Sequence, residues 1–209
     1  MATKTLKVPN KLSEITLGQY QQFSKIMTDD VDQDFLQKKT IEIFCGVDIK
    51  DVDSFKYSSI LEVIKIINKM FEQKPELTQR FKYNENEFGF IPDLSEMSFG
   101  EYVDLDTLMG DWETMDQAMG VLYRKIENKH KKDYTIVGYD VTKIQDMSSM
   151  PLDVAFGAIF FLENLRKQLC NHILNSLQMQ TKMISMDQKR QLQKLMVGGS
   201  VFIPFHKAV

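Results

Sequence analysis

The fold depends on a segment of sequence that occurs twice, as VPNKLSEITLGQY at residues 8–20 and as IPDLSEMSFGEY at residues 91–102. Leu, Ser, Glu, Gly and Tyr recur in the same order in both copies, and the residues between them change conservatively. Because proline keeps the residue before it extended, each copy predicts a helix that follows a strand end and a proline turn.

Each copy also carries the signature of a capping box, in which the N-cap side chain and the third helical residue bond to each other's backbone N–H. Thr16 and Ser98 are the predicted N-caps, with Gln19 and Glu101 at the third helical position. A hydrophobic staple is predicted in both copies, from Ile15 with Tyr20 and from Met97 with Tyr102. The alternative is that capping boxes are common and the two copies are independent.

Three helices are predicted after the start of each copy. The first half predicts a short helix ending at residue 27, a helix over 33–45 that Gly46 ends, and a helix over 60–73. The second half predicts a short helix ending at residue 109, a helix over 112–126, a strand over 134–137 and a long helix from about Pro151. We interpret this as a pseudo-duplicated three-helix unit, with repeats at about 5–75 and 80–177, within a single globular domain of residues 1–177.

A small sheet is predicted between the two halves. Polar and apolar side chains alternate over residues 80–91, and a turn is predicted at Asn84-Glu85-Asn86. This pattern indicates a β-hairpin. A lone hairpin is only marginally stable, so residues 6–8 are predicted to add a third strand. The predicted class is mainly α with a small antiparallel β-sheet (α+β).

The C-terminal part of the chain differs in character from the rest. Apolar residues recur on one helical face from Ala155 to Leu177, which predicts a long helix that is buried against other elements or subunits near residues 156–162. Residues 178–209 are predicted to form a C-terminal helical arm, made of a helix and an apolar tail whose binding residues are Val201, Phe202, Ile203 and Phe205. Such a tail either packs on its own domain or docks on a partner.

Charge argues against a dedicated nucleic-acid binder. The chain has 26 Lys and Arg against 29 Asp and Glu, which gives a net charge of −3. One basic cluster remains as a candidate partner-binding site: Arg124, Lys125, Lys129, Lys131 and Lys132. We interpret it as a solvated loop, and contact with an acidic partner or a nucleic acid stays open as the alternative.

Motifs for chemistry are missing from the sequence. It contains no glycine-rich phosphate loop, and none of its 3 histidines is spaced with another His or Cys for metal binding. The acidic run at residues 29–34 lacks the Gly and Glu positions of a calcium loop. We therefore predict no catalytic residue, no metal and no cofactor. The longest apolar stretch, residues 154–162, is too short to span a bilayer, and Cys45 and Cys170 suit a reducing compartment.

A family resemblance is carried by residues 88–105, 112–124 and 150–158. These stretches resemble proteins encoded among the structural genes of tailed bacteriophages. The ITLGQY segment at residues 15–20 is also similar to the opening of tail-assembly chaperones and baseplate-hub assembly proteins of long-tailed phages. The chain has 2 cysteines and lacks the cysteine cluster of those hub-assembly proteins.

The resemblance implies a non-enzymatic part or helper of the virion in the tail, baseplate or neck. It implies action in the host bacterial cytoplasm during assembly, or in the virion itself. The expected partners are other phage structural proteins or further copies of this chain, with no membrane. Two alternatives stay open: a tail-assembly chaperone absent from the mature particle, and a nucleic-acid-associated packaging factor that uses the basic cluster at 124–132.

Overall fold

A computed structural model describes residues 6–27, 31–130, 133–180 and 190 of the chain. The described part is mainly helical with one four-stranded antiparallel sheet, so the predicted class is confirmed. Its first half is helical: α1 Leu17–Ile26, α2 Gln33–Cys45, α3 Ile49–Val52 and α4 Tyr57–Phe71. Its second half contains β1 Arg80–Tyr83, β2 Asn86–Phe90, α5 Phe99–Leu108, α6 Met115–Leu122, β3 Tyr123–His130, β4 Asp133–Ile136 and α7 Leu152–Gln180.

Both predicted capping boxes are present. Thr16 with Gln19 caps α1, and Ser98 with Glu101 caps α5, with both reciprocal bonds made in each case. The likeness extends to the turn before each cap, since both LSE triplets form a single 3₁₀ turn, Leu12–Glu14 and Leu94–Glu96. The same local sequence therefore produces the same local structure twice.

The likeness between the two halves ends soon after these helices. The helix predicted over 112–126 is wrong beyond Leu122, because a 3₁₀ turn and the eight-residue α6 lead directly into β3. Its counterpart in the first half, α2, is 13 residues long. The pseudo-duplication is thus expressed as a repeated capped helix, and the elements that follow differ between the halves.

The sheet has the order β1-β2-β3-β4, and every neighbouring pair is antiparallel. The hairpin is confirmed: Asn84 and Glu85 form its turn with φ of 45° and 63°, as a two-residue type I′ turn requires. The third strand predicted at residues 6–8 is wrong, since these residues form no strand. β3 occupies the edge of β2 instead, where Phe90 pairs with Tyr123.

The core joins the two halves of the sequence. The ring of Tyr20 on α1 lies 5.3 Å from that of Phe71, 4.6 Å from that of Trp112 and 5.1 Å from that of Phe156. Phe161 of α7 packs edge-on against Phe90 of the sheet at 5.8 Å. α7 therefore runs through the middle of the domain, between the first helices and the sheet.

Candidate functional site

The first turn of α5 presents three apolar side chains to solvent. Phe99 is 81% exposed, Tyr102 is 59% exposed and Val103 is 41% exposed. Residues three and four apart share one side of a helix, so the three form one continuous surface, which we call the α5 face. A cluster of large apolar groups on an exposed helix marks a candidate interaction site.

The opposite side of α5 is held firmly to the sheet. Arg124 on β3 donates a 2.5 Å hydrogen bond to the Glu101 carboxylate, whose other oxygen accepts from the Ser98 N–H at 2.6 Å. Burial alone would raise the pKa of Glu101, but the hydrogen bonds from Ser98 and the charge of Arg124 together lower it. Glu101 is therefore a buried carboxylate that remains ionised.

A second polar contact fixes α5 from the loop after β4. The hydroxyl of Tyr139 donates to the carboxylate of Asp104, and the guanidinium of Arg124 lies 5.9 Å from the Tyr139 ring centre. Burial and the hydrogen bond to Asp104 raise the pKa of Tyr139 to about 12. These contacts fix the backbone of α5, so the α5 face is presented on a rigid support.

The equivalent positions of α1 lie inside the protein. Aligned by their N-caps, Phe99 corresponds to Leu17 and Tyr102 to Tyr20, and both α1 residues are in the core. Gln21, which corresponds to Val103, is buried as well, because its amide donates to the Trp112 carbonyl and to Asp116, both at 2.9 Å. The same turn of the same motif is thus covered in α1 and uncovered in α5.

A turn at residues 148–150, followed by Pro151 and by the first residue of α7, Leu152, covers the start of α1. The Leu17 N–H donates to the Met150 carbonyl at 2.9 Å, and the Leu152 N–H donates to the Ile15 carbonyl at 2.8 Å. The Gly18 N–H donates to the Ser148 carbonyl at 2.6 Å. No group within the described residues accepts from the corresponding Phe99 N–H.

The basic cluster lies on a strand and not, as predicted, on a loop. β3 carries Arg124, Lys125 and Lys129, and two of these three cations are paired with carboxylates. Arg124 is bound to Glu101 inside the protein, while Lys129 lowers the pKa of Glu87 through a hydrogen bond. Lys125 is exposed. Lys131 and Lys132 fall outside the described residues, as do the predicted tail residues Val201, Phe202, Ile203 and Phe205.

Two further helices expose apolar side chains. On α7, Ala155 and Ile159 are buried as predicted, but Leu165, Leu169 and Ile173 on the same face are exposed. On α4, Tyr57 and Leu61 are exposed one turn apart, and a shallow depression lies beside Leu61 and Ile64. The α5 face contains the most exposed of these side chains.

Sequence reasoning missed the α5 face. The 3-and-4 spacing of its residues was visible, but it predicts only an apolar side of the helix and not whether that side is covered. The staple predicted for Met97 and Tyr102 led to the opposite expectation, a packed tyrosine. With 59% of Tyr102 exposed, most of this side chain instead faces solvent.

The described residues form neither a metal-binding cluster nor a membrane-spanning helix. In the described ranges, no three side chains of His, Cys, Asp or Glu come together as a metal site. None of the described helices has the length and apolar content needed to cross a bilayer. Comparisons with protein-family models, curated proteins and solved structures found no match for this chain.

Proposed function

We propose that this chain is a non-enzymatic assembly or structural protein of a tailed bacteriophage. It acts through protein–protein contacts in the tail, baseplate or neck, in the bacterial cytoplasm during assembly or as part of the virion. The sequence resemblance at residues 88–105 supports the phage context, and it includes the whole of α5. The proposed mode of action rests on the α5 face. This is an exposed apolar surface on a helix that is held in place by buried polar contacts.

The packing of α5 supports a surface function for this helix. Its inward contacts would be satisfied equally well by a helix with polar residues facing solvent, and large apolar groups are usually withdrawn from water. Phe99 and Tyr102 instead expose most of their surface. Aromatic side chains of this kind are enriched at the centres of protein–protein interfaces.

Deletion of the gene from the phage that encodes it tests the proposal. We expect particles that stop at an intermediate lacking a complete tail, baseplate or neck in electron micrographs, with infectivity restored by the gene supplied from a plasmid. A plasmid copy with Phe99→Ser and Tyr102→Ser should fail to restore it, whereas Tyr57→Ser serves as a control at an equally exposed aromatic residue on α4. Normal, infectious particles from the deletion would refute the proposed function.

Mass spectrometry of purified particles distinguishes the two forms of this proposal. A virion component is present at a fixed ratio to the other structural proteins, whereas an assembly chaperone is absent from mature particles. The third alternative, a packaging factor that binds nucleic acid, has less support, because Arg124 and Lys129 are already paired with carboxylates. It predicts binding that weakens steeply with salt, which a titration at two salt concentrations measures.

A further inference from the structure

The covered start of α1 shows what kind of chain segment fits this motif. The bound segment is a turn at residues 148–150, followed by Pro151, which lies opposite Thr16, and by Leu152 at the start of α7. The two ladder bonds come from Met150 and Leu152, on either side of the proline. Proline lacks an N–H, but at this central position none is needed. The motif therefore accepts an apolar-Pro-apolar segment whose flanking residues make the backbone bonds.

The sequence contains a second segment with this pattern. Of the 5 prolines, only Pro151 and Pro204 have apolar residues on both sides, in Met150-Pro151-Leu152 and Ile203-Pro204-Phe205. The first of these segments covers α1. The second lies within the VFIPF sequence at residues 201–205, which has more apolar side chains than a five-residue stretch can bury by itself.

We propose that residues 201–205 of one copy dock on the α5 face of a second copy, as residues 148–152 dock on α1 within one chain. This inference rests on the proposed function and names the partner of the α5 face. By analogy with Leu17 and Met150, the Phe99 N–H donates to the carbonyl of Ile203, and Phe205 packs beside Phe99 and Tyr102. The Tyr139 ring, 3.7 Å from where a side chain on Gly100 would begin, directs the segment to the Phe99 side of the helix.

The course of α7 favours a second copy over the same chain. Leu162 is the last described residue of this helix that packs against the core, and the helix ends at Gln180. At 1.5 Å per residue, the 18 residues between them carry the chain about 27 Å beyond this core contact. The end of α7 thus lies well away from the core of its own copy. A tail that docks on the next copy makes a head-to-tail contact, which generates rings or open chains.

Two full-length variants test the inference, each removing one side of the contact. The face variant carries Phe99→Ser and Tyr102→Ser, and the tail variant carries Phe202→Ser and Phe205→Ser. By sedimentation velocity, we expect wild-type protein to form concentration-dependent assemblies, with association weakened at least 10-fold in either variant. The control variant Tyr57→Ser should assemble like wild type.

Mixing the two variants gives the decisive result. Only one productive contact remains, between the intact tail of the face variant and the intact face of the tail variant, so an equimolar mixture should form a 1:1 heterodimer and nothing larger. A mixture that stays monomeric, or a face variant that assembles like wild type, overturns the inference. If the wild-type protein is monomeric and its α5 backbone amides exchange hydrogen more slowly than those of the tail variant, the tail docks within its own chain. That result also overturns the inference.

The outcome is separable from that of the proposed function. If self-association behaves as expected but deletion phages form normal particles, the proposed function fails and the docking stands. If deletion phages lack tails, baseplates or necks and the α5 face is required, but the tail variant restores infectivity and does not alter association, the face binds a different protein. In that case the docking inference fails and the proposed function stands.

Discussion

The substitution Glu101→Gln tests whether the buried ion pair holds α5 in place. The first copy of the motif has Gln19 at this position, where its side-chain oxygen accepts from the Thr16 N–H at 2.9 Å. Glutamine is therefore compatible with the capping box, and the substitution keeps the cap while removing the charge beside Arg124. The loss of stability then measures the ion pair and not the cap.

The magnitude follows from the surroundings of Arg124. Removing one partner of a buried ion pair costs about 3–5 kcal/mol, because the other charge is left uncompensated. The single amide oxygen of glutamine accepts from the Ser98 N–H, so its NH2 group faces Arg124 and cannot accept; with only 15% of the Arg124 side chain exposed, we expect a loss of about 3 kcal/mol. The buried Arg124 Nε already has no hydrogen-bond partner among the described residues, so no spare contact compensates.

Urea unfolding with linear extrapolation measures this loss. The double variant Glu101→Gln with Arg124→Met removes both charges, and we expect it to be more stable than Glu101→Gln alone, since a buried pair replaced by apolar groups is often near neutral. A cost below about 0.5 kcal/mol for Glu101→Gln, or strictly additive losses in the double variant, would refute the role assigned to this pair.

The same pair gives stability a defined pH dependence. The pKa of Glu101 is lower in the folded protein than its usual value, so its contribution is present above the usual glutamate range. That contribution is lost as the pH falls through the lowered pKa, because the unfolded chain then binds the proton more readily. Glu101→Gln should therefore show a shallower loss of stability in acid than wild type, measured as urea midpoints from neutral pH to pH 3.

Three further predictions concern single positions. Tyr20→Ser should cost about 3–5 kcal/mol in urea unfolding, because the Tyr20 ring packs against three others, whereas Tyr102→Ser should stay within about 0.5 kcal/mol; equal effects would contradict the assigned burial. Gly157→Ala should destabilise by about 1–3 kcal/mol despite the better helix propensity of alanine, because the new Cβ would lie 2.4 Å from the Glu76 carbonyl oxygen, while Gly138→Ala, with nothing within 4 Å, should be neutral. Burial raises the pKa of Cys45 to about 11, so its thiol should react with a disulfide reagent at pH 8 far more slowly in the native protein than in urea; equal rates would show that the thiol is accessible.

Elements governed by neighbouring residues could be predicted from the sequence. The helix over 33–45 was predicted with its observed bounds, since the Asp32 cap and Gly46, with φ of 66°, are signals within or beside the helix itself. The hairpin and both capping boxes are of the same kind. In each case the bonds that define the element join residues a few positions apart.

Elements that depend on distant pairing could not be predicted in this way. Apolar residues continue at helical spacing past Leu122, but Tyr123 begins a strand because it pairs with Phe90 across the sheet. Its hydroxyl also donates to the Thr78 carbonyl at 2.8 Å. These partners lie more than thirty residues away in sequence, so the periodicity around Tyr123 contains no sign of them.

The candidate site was missed for the same physical reason. Tyr20 and Tyr102 occupy the same position of the same capped turn, and nothing within either copy of the motif distinguishes a core residue from a surface residue. The difference comes from Phe71, Trp112 and Phe156, which surround Tyr20 from three other elements. The exposure of a side chain thus depends on the whole fold, whereas the helix cap depends only on residues within the motif.

The two copies of the motif differ in which of their side chains are buried. At the fifth helical position the usual relation between polarity and burial is reversed. The polar residue, Gln21 of α1, is buried, and the apolar residue, Val103 of α5, is exposed. Gln21 is tolerated inside because hydrogen bonds to Trp112 and Asp116 satisfy its amide. Val103 makes no such hydrogen bonds, and the exposed 41% of its surface is apolar area that the monomer leaves in contact with water. Its presence beside Phe99 and Tyr102 is explained if this turn, like the first, is covered by an apolar chain segment in the assembled state.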